Sequence, residues 1–71
     1  MRLGIDTGGT FTDFVVLQGD DAGAVVLRTH KVLSTPDAPE RAILQGIFEL
    51  GLAAAVARGG VSIVHGSTVA T

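Results

Sequence analysis

Apolar residues follow a two-residue period through the first half of this chain and a helical period through much of the second. Leu3-Gly4-Ile5 reads as a short central strand that ends at Asp6, and Thr7 to Thr10 read as a turn. From Phe11 to Gln18 the odd positions (Phe11, Asp13, Val15, Leu17) face one way and the even ones (Thr12, Phe14, Val16, Gln18) the other. Large apolar groups fall on both faces, which predicts a strand covered on both sides. Residues 19–23, GDDAG, form a turn cluster tolerant of positive φ. Ala24 to Val32 supply a third strand, completing an antiparallel meander.

Ser34-Thr35-Pro36-Asp37 interrupts the strand pattern. Asp37 with Glu40 fits a capping box, and Pro39 falls where a first helical turn tolerates it. Ile43, Leu44, Ile47, Phe48 and, less neatly, Leu50 then mark one helical face. Gly46 inside this helix costs up to ~1 kcal/mol relative to Ala. A close approach to the sheet and simple drift account for it equally well. Gly51 ends the helix, Leu52 to Arg58 give a second helical turn or two, and Gly59-Gly60 release the chain into a fourth strand, Val61 to His65. The expected class is α/β, with β-β-β-α-β order and a mixed sheet. A parallel return of the last strand requires a right-handed crossover. His65-Gly66-Ser67-Thr68 reads as a strand end entering another helix, with Ser67 or Thr68 as N-cap. The chain stops at Thr71, just after that start, so we expect a domain truncated at its C-terminus.

Composition narrows the function classes. At 71 residues the chain makes one small domain, and 46% apolar content is enough for a folded unit. With no Cys, disulfide staples, thiolate metal sites and a cysteine nucleophile are excluded within these residues. The net charge is −2 and the five basic residues are scattered, so no nucleic-acid partner is expected. No apolar run approaches the ~20 residues that cross a bilayer. Arg2 leads straight into strand-like sequence with no signal-peptide pattern, so we expect a cytoplasmic chain without a membrane partner.

The chemistry gathers at Asp6-Thr7-Gly8-Gly9-Thr10. Two glycines can serve simply to reverse a chain. Here, however, a carboxylate ends an apolar strand, where burial without a partner is costly. Thr7, Thr10 and Thr12 crowd hydroxyls onto the bend, and Asp13 adds a second acid where β propensity disfavours it. A magnesium ion held through water by Asp6, with phosphate oxygens on the N–H groups of Gly8 to Thr10, accounts for these features together. The segment is neither a Walker A loop, which needs a lysine, nor a dinucleotide fingerprint, which leads into a helix. His65 is a candidate base or ligand, although a lone histidine at a strand end is more often structural. His30 reads as surface, and two histidines without a carboxylate at ligand spacing argue against zinc. Ser67 and Thr68 read as caps whose open helix start could also meet an anion. Arg41, Glu49 and Arg58 read as a solvated helix face.

GIDTGGTFTDFVVL at 4–17, STPDAPERAILQGI at 34–47 and VHGSTVAT at 64–71 together resemble the opening of the hydantoinase A/5-oxoprolinase family, in order and spacing. The first segment is also similar to the first phosphate loop of actin-like ATPases, whereas the last is more specific to the oxoprolinase group. The resemblance implies a partial actin/ribonuclease-H-like subdomain, with residues 1–71 as the N-terminal fragment of a hydantoinase/oxoprolinase-type ATPase domain. It implies ATP and Mg2+ as cofactors and a small cyclic amide as substrate of the whole protein. Related members carboxylate ketones by a comparable activation. Carried onto this sequence, Asp6 would face the magnesium, and Thr7, Gly8, Gly9 and Thr10 would cradle phosphate. Thr12 and Asp13 rank second, and His65, Gly66, Ser67 and Thr68 form a second motif without an assigned step. The rest of the chain or a second subunit would be needed, so residues 1–71 alone are expected to be inactive. Two alternatives are a sugar-kinase-like or activator-type ATPase of the same superfamily and a small non-enzymatic interaction module.

Overall fold

The computed structural model describes residues 1–19 and 22–67. Strands β1 (Arg2–Thr7), β2 (Phe11–Gly19) and β3 (Val25–Leu33) precede helices α1 (Pro39–Glu49) and α2 (Ala53–Ala57), and β4 (Ser62–Ser67) follows. The sheet order is β3-β2-β1-β4. β1 and β2 pair antiparallel, as do β2 and β3, while β4 returns parallel to β1. The expected α/β class, strand meander and mixed sheet are therefore all present.

One face of the sheet carries the core. Leu3 and Ile5 of β1, Phe14 and Val16 of β2 and Val32 of β3 are buried against Ala42, Ile47, Leu50 and Leu52. Burying a side chain of this size contributes roughly 1.5–3 kcal/mol, so these few residues dominate the stability of a small sheet. The opposite face is open. Phe11, Val15 and Leu17 stay 41%, 39% and 37% exposed, which corrects the reading of β2 as covered on both sides. Both described helices follow β3, and the core they build draws only on the Leu3/Phe14 side of the sheet.

The helical stripe is also rotated from its expected position. Ala42, Gly46 and Ile47 are the buried residues of α1, whereas Leu44 and Phe48 are 63% and 77% exposed. Small residues decide this. A side chain at Gly46 would overlap the Phe14 ring, so the helix lies on the sheet where Gly46 and Ala42 let it approach. Close approach, rather than drift, explains the glycine.

The start of α1 corrects the expected capping box. Ala38 is the N-cap, Pro39 takes the first helical position, and no side chain of the cap residue bonds there. Instead the Thr35 hydroxyl donates to the Ala38 carbonyl at 2.7 Å and accepts from the Ala42 N–H at 3.1 Å. Pro39 contributes no N–H and the Arg41 N–H donates to the Ala38 carbonyl at 2.9 Å, while the Ala42 N–H goes to Thr35.

At the other end of α1, Nε2 of His30 lies 2.7 Å from the Glu49 carboxylate, so these two surface residues meet across the sheet–helix boundary. Gln45 also donates to Glu49 at 3.1 Å, and Arg28 donates to the Leu50 carbonyl at 2.9 Å. The hydrogen bonds from Gln45 and then His30 hold the Glu49 carboxyl below its ordinary value. A lowered carboxyl stabilises the fold above the ordinary carboxylate range, and that contribution is lost as pH falls through the lowered value.

β4 runs to Ser67, two residues past the expected end, so His65 and Gly66 are strand residues. The helix expected from Thr68, and the Asp20-Asp21 turn tip, lie outside the described residues. Among those described, no helix is long and apolar enough to cross a membrane.

Gly46→Ala separates two opposed effects. Helix propensity alone would raise stability by up to about 1 kcal/mol. Phe14 is 1% exposed and a Cβ at Gly46 would overlap its ring, so overpacking is expected to dominate. Urea unfolding of Gly46→Ala is expected to show a net loss of about 1–3 kcal/mol.

Candidate functional site

The loop between β1 and β2 sits at the carboxyl end of β1, beside the carboxyl end of the parallel strand β4. In sheets with parallel strands, that edge is where ligands commonly bind. The register brings together two motifs more than fifty residues apart. Asp6 lies opposite Gly66, and Thr7 lies opposite Ser67. The Thr7 hydroxyl donates to the Gly66 carbonyl at 3.4 Å and lies 3.3 Å from Nε2 of His65. This places His65 as a hydrogen-bonded residue at the seam of the two motifs.

Strand alternation sorts the candidate side chains onto two faces. Asp6 and Asp13 are directly opposed in the antiparallel ladder and so share the open face. Asp13 is also 3.7 Å from Lys31 on β3. Beside the acids lies a depression bordered by Gly4, Val64 and Gly66. Thr7 and Thr12 are likewise opposed, but on the helix-covered face. The sequence had gathered acids and hydroxyls into one group; the pleat of the strands separates them.

On the hydroxyl face a cleft of ≈ 200 Å³ is lined by Thr7, Gly8, Gly9, Thr12, Ser34 and the turn that leads into α1. Ligand pockets usually span about 300–1,000 Å³, so this one is sized for a small group rather than a whole nucleotide. Thr12 is 1% exposed, and its hydroxyl meets the Ser34 hydroxyl at 2.9 Å. Ser34 donates in turn to the Gly8 carbonyl at 2.7 Å, and its N–H donates to the Thr10 carbonyl at 2.8 Å. Ser34 was missed as a site residue in the sequence, where it reads as part of the segment that interrupts the strand pattern before the helix. The available signal was two consecutive hydroxyl residues before a proline, at a point where the chain leaves the sheet.

The two glycines of the loop differ. The Gly8 N–H donates to the Phe11 carbonyl at 2.9 Å, and a Cβ there would meet that same carbonyl oxygen at 2.9 Å. Gly8 is therefore required by the hairpin itself. Gly9 is not: a Cβ would meet nothing within 4 Å, and its φ is not positive. The N–H groups of Gly9 and Thr10 have no acceptor among the described residues.

Among the described residues there is also no group of three or more His, Cys, Asp or Glu that could enclose a metal. Magnesium does not need one, because it keeps several waters and binds through one or two carboxylates plus phosphate oxygens. Asp6 and Asp13, neighbouring hard-oxygen donors on one face, fit that requirement; a zinc set is not present among them.

These features define an α/β chain with a glycine hairpin at the carboxyl edge of a mixed sheet, joined there to a second, His-Gly motif. The chain belongs to the hydantoinase/oxoprolinase N-terminal region family, whose model matches residues 2–71. No curated protein and no solved structure matches it. Ser67 closes β4, while Thr68, the last residue of the second motif's candidates, lies outside the described residues.

The contrast between the glycines is measurable by unfolding. Gly8→Ala is expected to lose about 1–3 kcal/mol as the Phe11 carbonyl is displaced. Gly9→Ala is expected to leave stability unchanged or raise it by up to about 1 kcal/mol, through a less flexible unfolded chain.

Proposed function

We propose that this region forms the phosphate- and magnesium-binding edge of an ATP-dependent hydrolase that opens a cyclic amide, of 5-oxoproline or hydantoin type. The observation that carries the reading is Gly9. Its bareness answers neither a left-handed φ nor a packing need among the described residues, and its N–H has no acceptor among them. Neither glycine has a left-handed φ, so the turn's backbone conformation is open to residues with side chains. A residue without a side chain, next to a donor without an acceptor, suits close contact with an anion.

In this reading the N–H groups of Gly9 and Thr10 hold phosphate oxygens, and Gly8 shapes the turn. Asp6 holds the magnesium ion through water, with Asp13 as the adjacent acid. ATP, when bound, would supply a phosphoryl group to the amide oxygen with release of ADP, making the carbonyl carbon open to water, so that the ring C–N bond breaks and phosphate leaves. Thr7 and His65 keep the second motif seated beside the loop. The family assignment supports the hydrolase class. The amide substrate and the ring-opening step belong to the full protein, and residues 1–71 alone are expected to show no turnover.

Calorimetric titration of the full-length protein with Mg2+ and a non-hydrolysable ATP analogue tests the reading. Gly9→Val is expected to weaken binding by tenfold or more, the effect of losing about one charge-assisted hydrogen bond, without lowering the melting temperature. Asp6→Asn is expected to weaken the magnesium dependence of the same binding. Unchanged affinity in both variants would sink the proposal.

A further inference from the structure

We propose that Ser34 is the positioning residue of the glycine loop, fixing the direction in which the Gly9 N–H points. The inference rests on the phosphate-binding reading of that loop and adds a residue outside both motifs.

Ser34 grips the loop on both sides of its tip. Its hydroxyl donates to the Gly8 carbonyl at 2.7 Å, and its N–H donates to the Thr10 carbonyl at 2.8 Å. Each carbonyl belongs to a planar peptide unit, and in a trans peptide the C=O and the following N–H point in opposite directions. Anchoring the Gly8 carbonyl toward Ser34 therefore turns the Gly9 N–H away from Ser34. Anchoring the Thr10 carbonyl fixes the peptide that leads into β2. Between the anchors stands Gly9, which has neither a side chain nor a close neighbour to resist rotation. Without Ser34, the Gly8-Gly9 peptide is free to turn over and present a carbonyl oxygen where an anion needs a donor.

The direction of the relay is determined as well. Ser34 has one hydroxyl proton, and the Gly8 carbonyl receives it, so Thr12 donates to Ser34 across the 2.9 Å contact. Thr12 is buried in the covered face of the sheet, and its neighbour Thr7 joins the loop to β4. The orientation of an exposed peptide is thus tied to the core through two hydroxyls.

The test uses the full-length protein with ¹³C-labelled glycine carbonyls. The Gly8 carbonyl shift is read without nucleotide, and affinity is read with Mg2+ and a non-hydrolysable ATP analogue. Ser34→Ala is expected to move the Gly8 carbonyl upfield and to weaken binding about tenfold. Ser34→Thr, which keeps the hydroxyl, is expected to restore both, with affinity within about twofold of wild type. Ser34→Cys, of similar volume but a poor donor, is expected to fall between them even if Ser34→Ala fails to fold. A Gly8 carbonyl and an affinity unmoved in Ser34→Ala or Ser34→Cys would overturn the inference, as would a Ser34→Thr variant no better than Ser34→Cys. Wild-type protein that binds no triphosphate, while its Gly8 carbonyl still responds to Ser34, would count against the nucleotide reading and for the positioning role.

Discussion

Strand β1 is hydrogen-bonded along both edges, antiparallel to β2 and parallel to β4, and everything at the candidate site follows from that double pairing. The antiparallel edge makes the turn between Thr7 and Phe11 a hairpin. The parallel edge brings the end of β4 alongside the same turn, so that Asp6 meets Gly66 across the ladder. Leu3 and Ile5 fix the register, because a slip of one residue would move both from the buried face to the open one. The same slip would exchange Asp6 with Thr7, setting a hydroxyl among the acids. Burial of two aliphatic side chains therefore determines which chemistry each face of the loop presents.

Much of the fold was legible in the sequence because its periodicities are clean. The two-residue period from Phe11 to Gln18, the Gly-Gly release at 59–60 and the helical stripe at 43–50 yielded the element order directly. What periodicity does not carry is which part of a stripe meets the sheet. Leu44 and Phe48 belong to the apolar side of α1 by spacing, yet Ala42, Gly46 and Ile47 are the buried residues, since the bare Gly46 leaves room for the Phe14 ring. The apolar residues on both faces of β2 likewise imply two covering layers, and the described helices supply one.

The candidate site was legible in its motifs and not in its support. Asp6, Gly8, Gly9 and Thr10 stood out because a carboxylate and two glycines at a strand end are unusual. Ser34 did not, because its partners are mostly backbone carbonyls more than twenty residues away, and no side-chain pattern records such bonds. The division of acids from hydroxyls was implicit in the two-residue period, but only the observed pairing of Asp6 with Asp13 and of Thr7 with Thr12 shows where the turn lets it begin.

Contact between a nucleotide's phosphates and the Gly9–Thr10 peptides is the claim on which the functional reading stands. Titrating ¹⁵N-labelled full-length protein with Mg2+ and a non-hydrolysable ATP analogue, while following individual amides, addresses it most directly. The expected result is that Gly9 and Thr10 move most, with Gly66 shifting in the same step and Gly8, already bonded to Phe11, moving less. Saturable binding that leaves Gly9 and Thr10 where they were would contradict it.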